Sequence, residues 1–230
     1  IGGAARCASA MGASVVGVDL TESYVNVGIM LNTLCGISED AVSLRVGSAL
    51  DLKAATGEAD FDRAYLLHVG MNIPDKTMLM KSIAQQLKPG GMVGVYDVMQ
   101  SAERVDEPFE YPLPWASTEA HNACASPETY RAAFAAAGLE LTLEENMRDF
   151  ALDSFKQIKT MRDKAVEDGT PPSPVSLQLL MGDKFPIKMQ NIVQGIVSER
   201  FSPVIMIGRK LTNLLTWFGR SFRVRYAHLR

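Results

Sequence analysis

Short apolar strands alternating with helix-length segments predict a doubly wound α/β domain on a mostly parallel sheet. Three observations carry this. A glycine loop, Ile1-Gly2-Gly3-Ala4-Ala5-Arg6, runs into a helix and then into the apolar run Ser14-Val15-Val16-Gly17-Val18, which ends on Asp19. Further apolar runs end on polar residues at Ser48, His68 and Asp97. The break Lys88-Pro89-Gly90-Gly91 then separates a helical segment from another strand, because proline and paired glycines cannot continue a helix.

Element by element, a helix over about Ala4 to Met11 leads to the strand Ser14–Asp19. A helix from about Thr21 to Cys35 follows, with Thr21 as N-cap and Gly36 as its stop. Strand Ala41–Val46 leads into Gly47-Ser48-Ala49-Leu50-Asp51-Leu52, and strand Phe61–Leu67 into His68-Val69-Gly70-Met71-Asn72. Helix Asp75–Leu87 precedes strand Met92–Val98. Residues 101–126, with Pro108, Pro112 and Pro114 among Phe109, Tyr111 and Trp115, read as an ordered loop arching over the ligand crevice. Helix Pro127–Ala137, strand Leu139–Glu145, helices Leu152–Asp168 and Ser176–Ser198, and the closing strand Ser202–Gly208 complete a domain over 1–210. Residues 211–230 carry Arg220, Arg223, Arg225 and Arg230 but no acid, and read as a basic tail, either disordered or non-native.

At 230 residues, 47% hydrophobic and 21% charged, the chain suits one globular domain and not a disordered one. A formal charge of -3 speaks against nucleic acid or an anionic membrane as partner. No apolar run is long enough to span a bilayer. Cys7, Cys35 and Cys124 are odd in number and lack the paired spacing of a metal site, which points to a reducing, cytoplasmic setting.

Ligands of such sheets bind at the carboxyl ends of the strands. Asp19, Ser48, His68 and Asp97 are therefore expected to line one crevice. Gly2 and Gly3 let backbone approach a ligand closely, and Asp19 stands where a carboxylate takes two hydrogen bonds from a ribose diol. A loop of this kind normally follows a buried strand. None precedes Ile1, so the sequence reads as an N-terminally truncated domain, of low activity and loosely folded on its own.

The ordered set of glycine loop, Asp19, Gly47-Ser48-Ala49-Leu50-Asp51-Leu52, Phe61-Asp62-Arg63-Ala64 and Leu87-Lys88-Pro89-Gly90-Gly91 resembles the class I S-adenosylmethionine-dependent methyltransferases. The likeness is greatest to the small-molecule group of ubiquinone/menaquinone-biosynthesis type, over roughly residues 1–145 and the closing strand. The resemblance implies a seven-stranded Rossmann-like sheet, here lacking its first strand, with a helical insert at 150–200 before the last strand. It implies S-adenosyl-L-methionine as cofactor and a small organic acceptor methylated at N, O or C.

By position, Gly2 and Gly3 correspond to the end of the motif facing the methionine part of the cofactor, and Asp19 to the acid on the ribose. Leu20 corresponds to the apolar neighbour of adenine, Ser48 and Ala49 to the reader of its edge, and Leu67 and His68 to the residues beneath the methionine moiety. His68 is the candidate base, since imidazole titrates near neutrality, or else it merely binds backbone at the strand end. Asp97 is the second catalytic candidate. Asn72 orients an acceptor or caps the following helix, and Tyr111 and Trp115 offer aromatic walls for the acceptor or simply pack the loop. His121 reads as a surface residue. Two other readings share the glycine loop. A nicotinamide-dependent oxidoreductase would need a Tyr-x-x-x-Lys pair, but Tyr24 is followed by Gly28 and Tyr65 by Val69. A non-catalytic, partner-binding subunit would use a degenerate form of the same fold.

Overall fold

A computed structural model of the chain describes residues 1–57, 60–104, 108–171 and 176–212. The basic tail expected over 211–230 therefore lies almost wholly outside the described residues. The elements follow in the order α1 (Gly3–Ala10), β1 (Val15–Asp19), α2 (Glu22–Leu34), β2 (Val42–Val46), α3 (Leu52–Thr56), β3 (Phe61–Leu67), α4 (Lys76–Gln86) and β4 (Leu87–Gln100). Then come α5 (Pro127–Ala136), β5 (Leu139–Asn146), α6 (Arg148–Glu167), α7 (Leu177–Met181), α8 (Phe185–Val197) and β6 (Phe201–Lys210).

Among the described residues six strands form two sheets. β1 and β2 pair in parallel from Val15 opposite Val42 to Asp19 opposite Val46. The other four lie in the order β3-β4-β6-β5, with β3 and β4 parallel and β6 antiparallel to both β4 and β5. Among the described residues no strand lies on the free edge of β1 or of β3. The facing edges are half-covered: Tyr65 and Leu67 are each 44% exposed. A cleft of about 420 Å³, touching Val15, Val16, Ser43, Arg45 and Phe61, opens at their amino ends.

Helix α3 links the two sheets, and sequence reasoning left it inside a motif. Arg45 on β2 donates to the carbonyls of Ala55 and Thr56 at its carboxyl end. From α4, the Ser82 hydroxyl accepts from the Leu52 amide at 2.9 Å, while Thr56 donates to Gln86 at 3.0 Å. Gly47 keeps β2 close to this helix, since a Cβ there would lie 2.5 Å from that of Ala55.

The core belongs to the four-stranded sheet. One face packs Val93, Val95, Met99, Val204 and Met206 against Leu79, Met80 and Ile83 of α4 and Tyr130, Ala133 and Phe134 of α5. On the other face Val98 and Phe201 meet Ala151 of α6, Ile196 of α8 and the loop residues Phe109, Tyr111, Leu113 and Trp115. The expected helix Ser176–Ser198 is two helices. Gly182, at φ 69 and ψ -161, takes an extended positive-φ conformation that favours glycine and breaks the apolar pattern into α7 and α8.

Candidate active site

Parallel pairing brings the carboxyl ends of β1 and β2 together, and the amino ends of β1 and β3 share the 420 Å³ cleft. The amide of Gly47 donates to the carbonyl of Asp19 at 3.0 Å, extending the β1–β2 ladder by one residue and setting Ser48 beside Asp19. One Asp19 carboxylate oxygen accepts from the Thr21 amide at 2.8 Å, which leaves the other for a ligand. Thr21 supplies no side-chain cap to α2, and Asp19 instead fixes the chain entering the helix by accepting from Thr21's own amide. Leu20 projects beyond the strand, 76% exposed. The Ser48 hydroxyl accepts from the Leu50 amide at 3.2 Å, and Ala49 rests against the large core.

Gly2 adopts φ 71 at the head of α1, and a Cβ there would lie 2.9 Å from Leu44, so a side chain would be strained and crowded at once. Gly3 opens the helix with free space beside it, leaving the first-turn amides accessible. Arg6 ties the loop down by donating to the Ile1 carbonyl and to Asn32.

His68 is one of two non-glycine residues with positive φ, at 53°, among the described residues. Its amide donates to the Tyr96 carbonyl at 2.8 Å, and its ring lies 4.6 Å from that of Tyr96, tilted by 55°. The edge of the residue is open, but the walls around the ring desolvate it and push the imidazole below its ordinary 6.5. His68 is thus held uncharged at neutral pH, the form able to accept a proton. A left-handed backbone at a non-glycine residue beside a candidate ligand site marks a functional position more often than a passive one.

Asp97 corrects an expectation, since it does not reach the crevice. It is wholly buried on the α4/α5 face, where one carboxylate oxygen accepts from the Tyr130 hydroxyl at 2.6 Å and the other from the Val98 amide at 3.0 Å. Desolvation raises its pKa to about 6 against the lowering effects of Tyr130, Val98 and Lys76. Alternation along β4 is the reason: Tyr96 and Asp97 point to opposite faces, and Tyr96 takes the one beside His68.

A second cleft of about 560 Å³, within the usual size of ligand pockets, lies beyond the turn after β3. Asn72, Pro74, Trp115, Ser117, His121 and Asn122 line it, so two of the three expected acceptor residues meet here. Asn72 does not cap α4. That part belongs to Asp75, which accepts from the Met78 amide at 2.8 Å, while Asn72 donates to the Val69 carbonyl. The Trp115 indole donates to Asn122 at 2.9 Å. Tyr111, by contrast, does not line this cleft; it packs in the second core cluster with its hydroxyl buried and unpartnered. His121, read from sequence as surface, lines the cleft with its Nδ1 3.0 Å from the Thr118 hydroxyl.

Sequence reasoning missed Lys76 and Tyr130. Lys76 is 2% exposed, and its ammonium donates to the carbonyls of Gly70 at 2.8 Å, Ala123 at 2.6 Å and Ile73. It also stands 5.5 Å from the centre of the Tyr130 ring. A signal existed, because a lysine in the first turn of a helix opposes the helix dipole.

A doubly wound sheet whose strand ends present a carboxylate, a neighbouring apolar side chain and a glycine-headed helix defines a nucleoside-binding α/β domain. The comparisons narrow that class. The model of the methyltransferase-domain family matches residues 2–144, and the chain belongs to that family. It is 33% identical over 137 residues to a ubiquinone biosynthesis O-methyltransferase of Rhizobium etli, covering 57% of this chain and 53% of the relative. It is 32% identical over 87 residues to the erythromycin 3''-O-methyltransferase of Saccharopolyspora erythraea, covering 38% and 28%. The chain thus spans about half the length of the first relative and less of the second.

Among solved structures, a putative sarcosine dimethylglycine methyltransferase from Galdieria sulphuraria superposes with a TM-score of 0.68 at 18% identity, over 91% of this chain and 75% of the other. The geranyl diphosphate C-methyltransferase of Streptomyces coelicolor, solved with S-adenosyl-L-homocysteine, gives 0.68 at 19% identity, over 91% and 69%. These likenesses establish the fold. Among the described residues no helix is long and apolar enough to cross a membrane, and no three His, Cys, Asp or Glu side chains gather as metal ligands.

Proposed function

We propose that this chain carries out S-adenosylmethionine-dependent methyl transfer to a small organic acceptor. The observation that carries the reading is that Asp19, Ser48 and His68 stand at or just past the carboxyl ends of β1, β2 and β3, and that Asn72 and Trp115 line a cleft.

The residues present fit the cofactor's chemistry. The free Asp19 oxygen suits the ribose hydroxyls, exposed Leu20 suits an adenine face, and Ser48 with the Ala49 backbone suits its polar edge. The amides at Gly2 and Gly3 and the side of Leu67 suit the methionine portion. When bound, the cofactor supplies a methyl group on a sulfonium sulfur, open to in-line displacement by an acceptor lone pair. The protein's tasks are then alignment, exclusion of water and proton removal. Asn72, Trp115 and His121 hold the acceptor, and uncharged His68 takes the proton of a neutral hydroxyl or amine as it attacks. Asp97, spent on Tyr130 and Val98, supports the site from behind.

The finer architecture is also a proposal. A further strand, parallel to β1 and β3, would fill the opening between them and bring the six strands of the 1–210 domain to a seven-stranded sheet. The half-exposed Tyr65 and Leu67 and the cleft between Val15 and Phe61 support this. Cofactor binding is tested by calorimetric titration with S-adenosylmethionine and with NAD. Binding of the former alone is expected, and binding of NAD alone would sink the reading. Labelled cofactor with a panel of phenols, amines and quinone precursors then identifies the acceptor.

A further inference from the structure

The acceptor cleft has two walls from distant parts of the chain. Asn72 and Pro74 come from the segment after β3, whereas Trp115, Asn122 and Ala123 come from the long loop before α5. Beneath them, one side chain touches both segments. The Lys76 ammonium donates to Gly70 and Ile73 in the first and to Ala123 in the second. Three carbonyls match the three N–H groups of an ammonium, where a neutral amine would leave one unserved.

Burial lowers the pKa of this ammonium, while the Tyr130 ring that faces it and the Asp97 carboxylate favour its protonated form. The turn is also seated on the same group of residues. A Cβ at Gly70 would lie 2.3 Å from both the Asp97 carboxylate and the Tyr130 hydroxyl, so glycine lets the turn settle directly onto them. From Ala123 the linkage continues outward, since the adjoining Asn122 carboxamide oxygen accepts from the Trp115 indole.

We propose that Lys76 is a positioning residue for the acceptor cleft, its buried ammonium fixing the separation between the Asn72 wall and the Trp115 wall. The role rests on reading this cleft as the acceptor site. All three of these Lys76 hydrogen bonds end on main-chain carbonyls, so it acts through backbone. It sits on α4, apart from Asp19 and Ser48, so its loss should disturb the acceptor side and spare the cofactor side.

The test uses the full chain with Trp217→Phe, which leaves Trp115 as its single indole. In that background Lys76→Met is expected to move or broaden the Trp115 indole N–H resonance while changing the calorimetric Kd for S-adenosylmethionine by less than about twofold. An unmoved resonance in a folded variant would overturn the proposal. So would a cofactor affinity that falls in step with stability, which marks a general structural lysine. Should Lys76→Met fail to fold, hydrogen exchange of the unsubstituted protein decides. The Ile73 amide, bonded to Gly70, and the Ala123 amide, bonded to the Met71 carbonyl, belong to the two tied segments. They are expected to open together, at rates within about threefold, and a difference of about a hundredfold would overturn the proposal. Failure of the unsubstituted chain to bind S-adenosylmethionine would overturn the functional reading instead, leaving the resonance and exchange measurements to judge the lysine.

Discussion

On the four-stranded sheet both faces are covered, one by α4 and α5 and the other by α6, α8 and the proline-rich loop, and both large apolar clusters lie there. On the two-stranded sheet the buried apolar side chains are Ala5, Val25 and Val42, while Leu20, Met30 and Leu34 project into solvent. Apolar burial contributes about 25 cal/mol per Å² and dominates folding, so the two halves of one crevice have unequal foundations. The proposed acceptor half, from His68 to Trp115, stands on a packed core with a buried polar group of residues beneath it. The proposed cofactor half, from Gly2 to Ser48, stands on two parallel strands joined to the rest through α3. Local stability should follow this division, and ligand contacts in the weaker half depend more on a few polar groups.

The largest expected difference is in stability. Phe134 is 1% exposed, and its ring packs against Gly208, where a Cβ would approach to 2.6 Å. Phe134→Ala should cost about 3–5 kcal/mol in urea denaturation. Val16→Ala, on half-buried β1, should cost under about 1.5 kcal/mol. In hydrogen exchange the amides of β1 and β2 should open well before those of β4 and β6. Equal losses, or uniform exchange through a single sharp transition, would break the comparison.

Next comes the base. His68→Gln should lower kcat by roughly 100-fold or more while leaving cofactor affinity nearly unchanged, the usual loss for a general base. Because desolvation lowers the imidazole pKa, the active unprotonated form prevails throughout the neutral range. The rate is therefore expected to be flat above pH 6.5 and to fall only on acidification through a midpoint below that ordinary value. Measured kcat/KM against pH should lose this acid limb in the variant. A midpoint above 6.5 would place a different group in the role.

How legible these halves were in the sequence depended on the range of the forces involved. All six strands followed from local apolar runs and their flanking breaks, since those signals are confined to a few residues. Helix α3 was missed because five residues give no helical period to read, and its hold comes from Arg45, Ser82 and Gln86, remote in sequence. The α7–α8 break was missed because apolar residues run on both sides of Gly182. Of the proposed site, Asp19, Leu20, Ser48, Leu67 and His68 were legible as residues at or just past strand ends. Asp97 was misplaced because a carboxylate at a strand end looks the same whether it faces solvent or a helix. The pleat of β4 sets its facing, and its partner on that face, Tyr130, lies thirty-three positions away.

On the cofactor side, Asp19 should carry the largest single effect. Charged hydrogen bonds contribute about 1.5–3 kcal/mol, so Asp19→Ala should weaken S-adenosylmethionine by roughly 10- to 100-fold in calorimetry. The variant also removes the acceptor for the Thr21 amide at the head of α2, costing some stability. Asp19→Asn separates the two, because its carboxamide oxygen still accepts from Thr21 while the charge is lost. If Asn restores affinity to the original level, the carboxylate is not the ribose anchor, and the weaker half would be held by shape instead.

The smallest effect belongs to Ser48, and it sharpens the comparison most finely. Its hydroxyl oxygen already accepts from the Leu50 amide, so the hydroxyl proton and the remaining lone pair are what it can offer a ligand. A neutral hydrogen bond of this kind contributes about 0.5–1.5 kcal/mol, so Ser48→Ala should weaken cofactor binding by less than about tenfold. Ser48→Asp keeps an acceptor for Leu50 and adds a charged one for the ligand, so affinity should rise above that of the unsubstituted chain. The added charge lies close to Asp19 across the β1–β2 ladder, and repulsion between the carboxylates works against the gain. Salt separates the two contributions: screening relieves exposed like-charge repulsion more than a short hydrogen bond, so the advantage of Ser48→Asp should grow with ionic strength. An advantage that shrinks with salt would mean that long-range attraction to the cationic cofactor, and not contact at the adenine edge, is what this position controls.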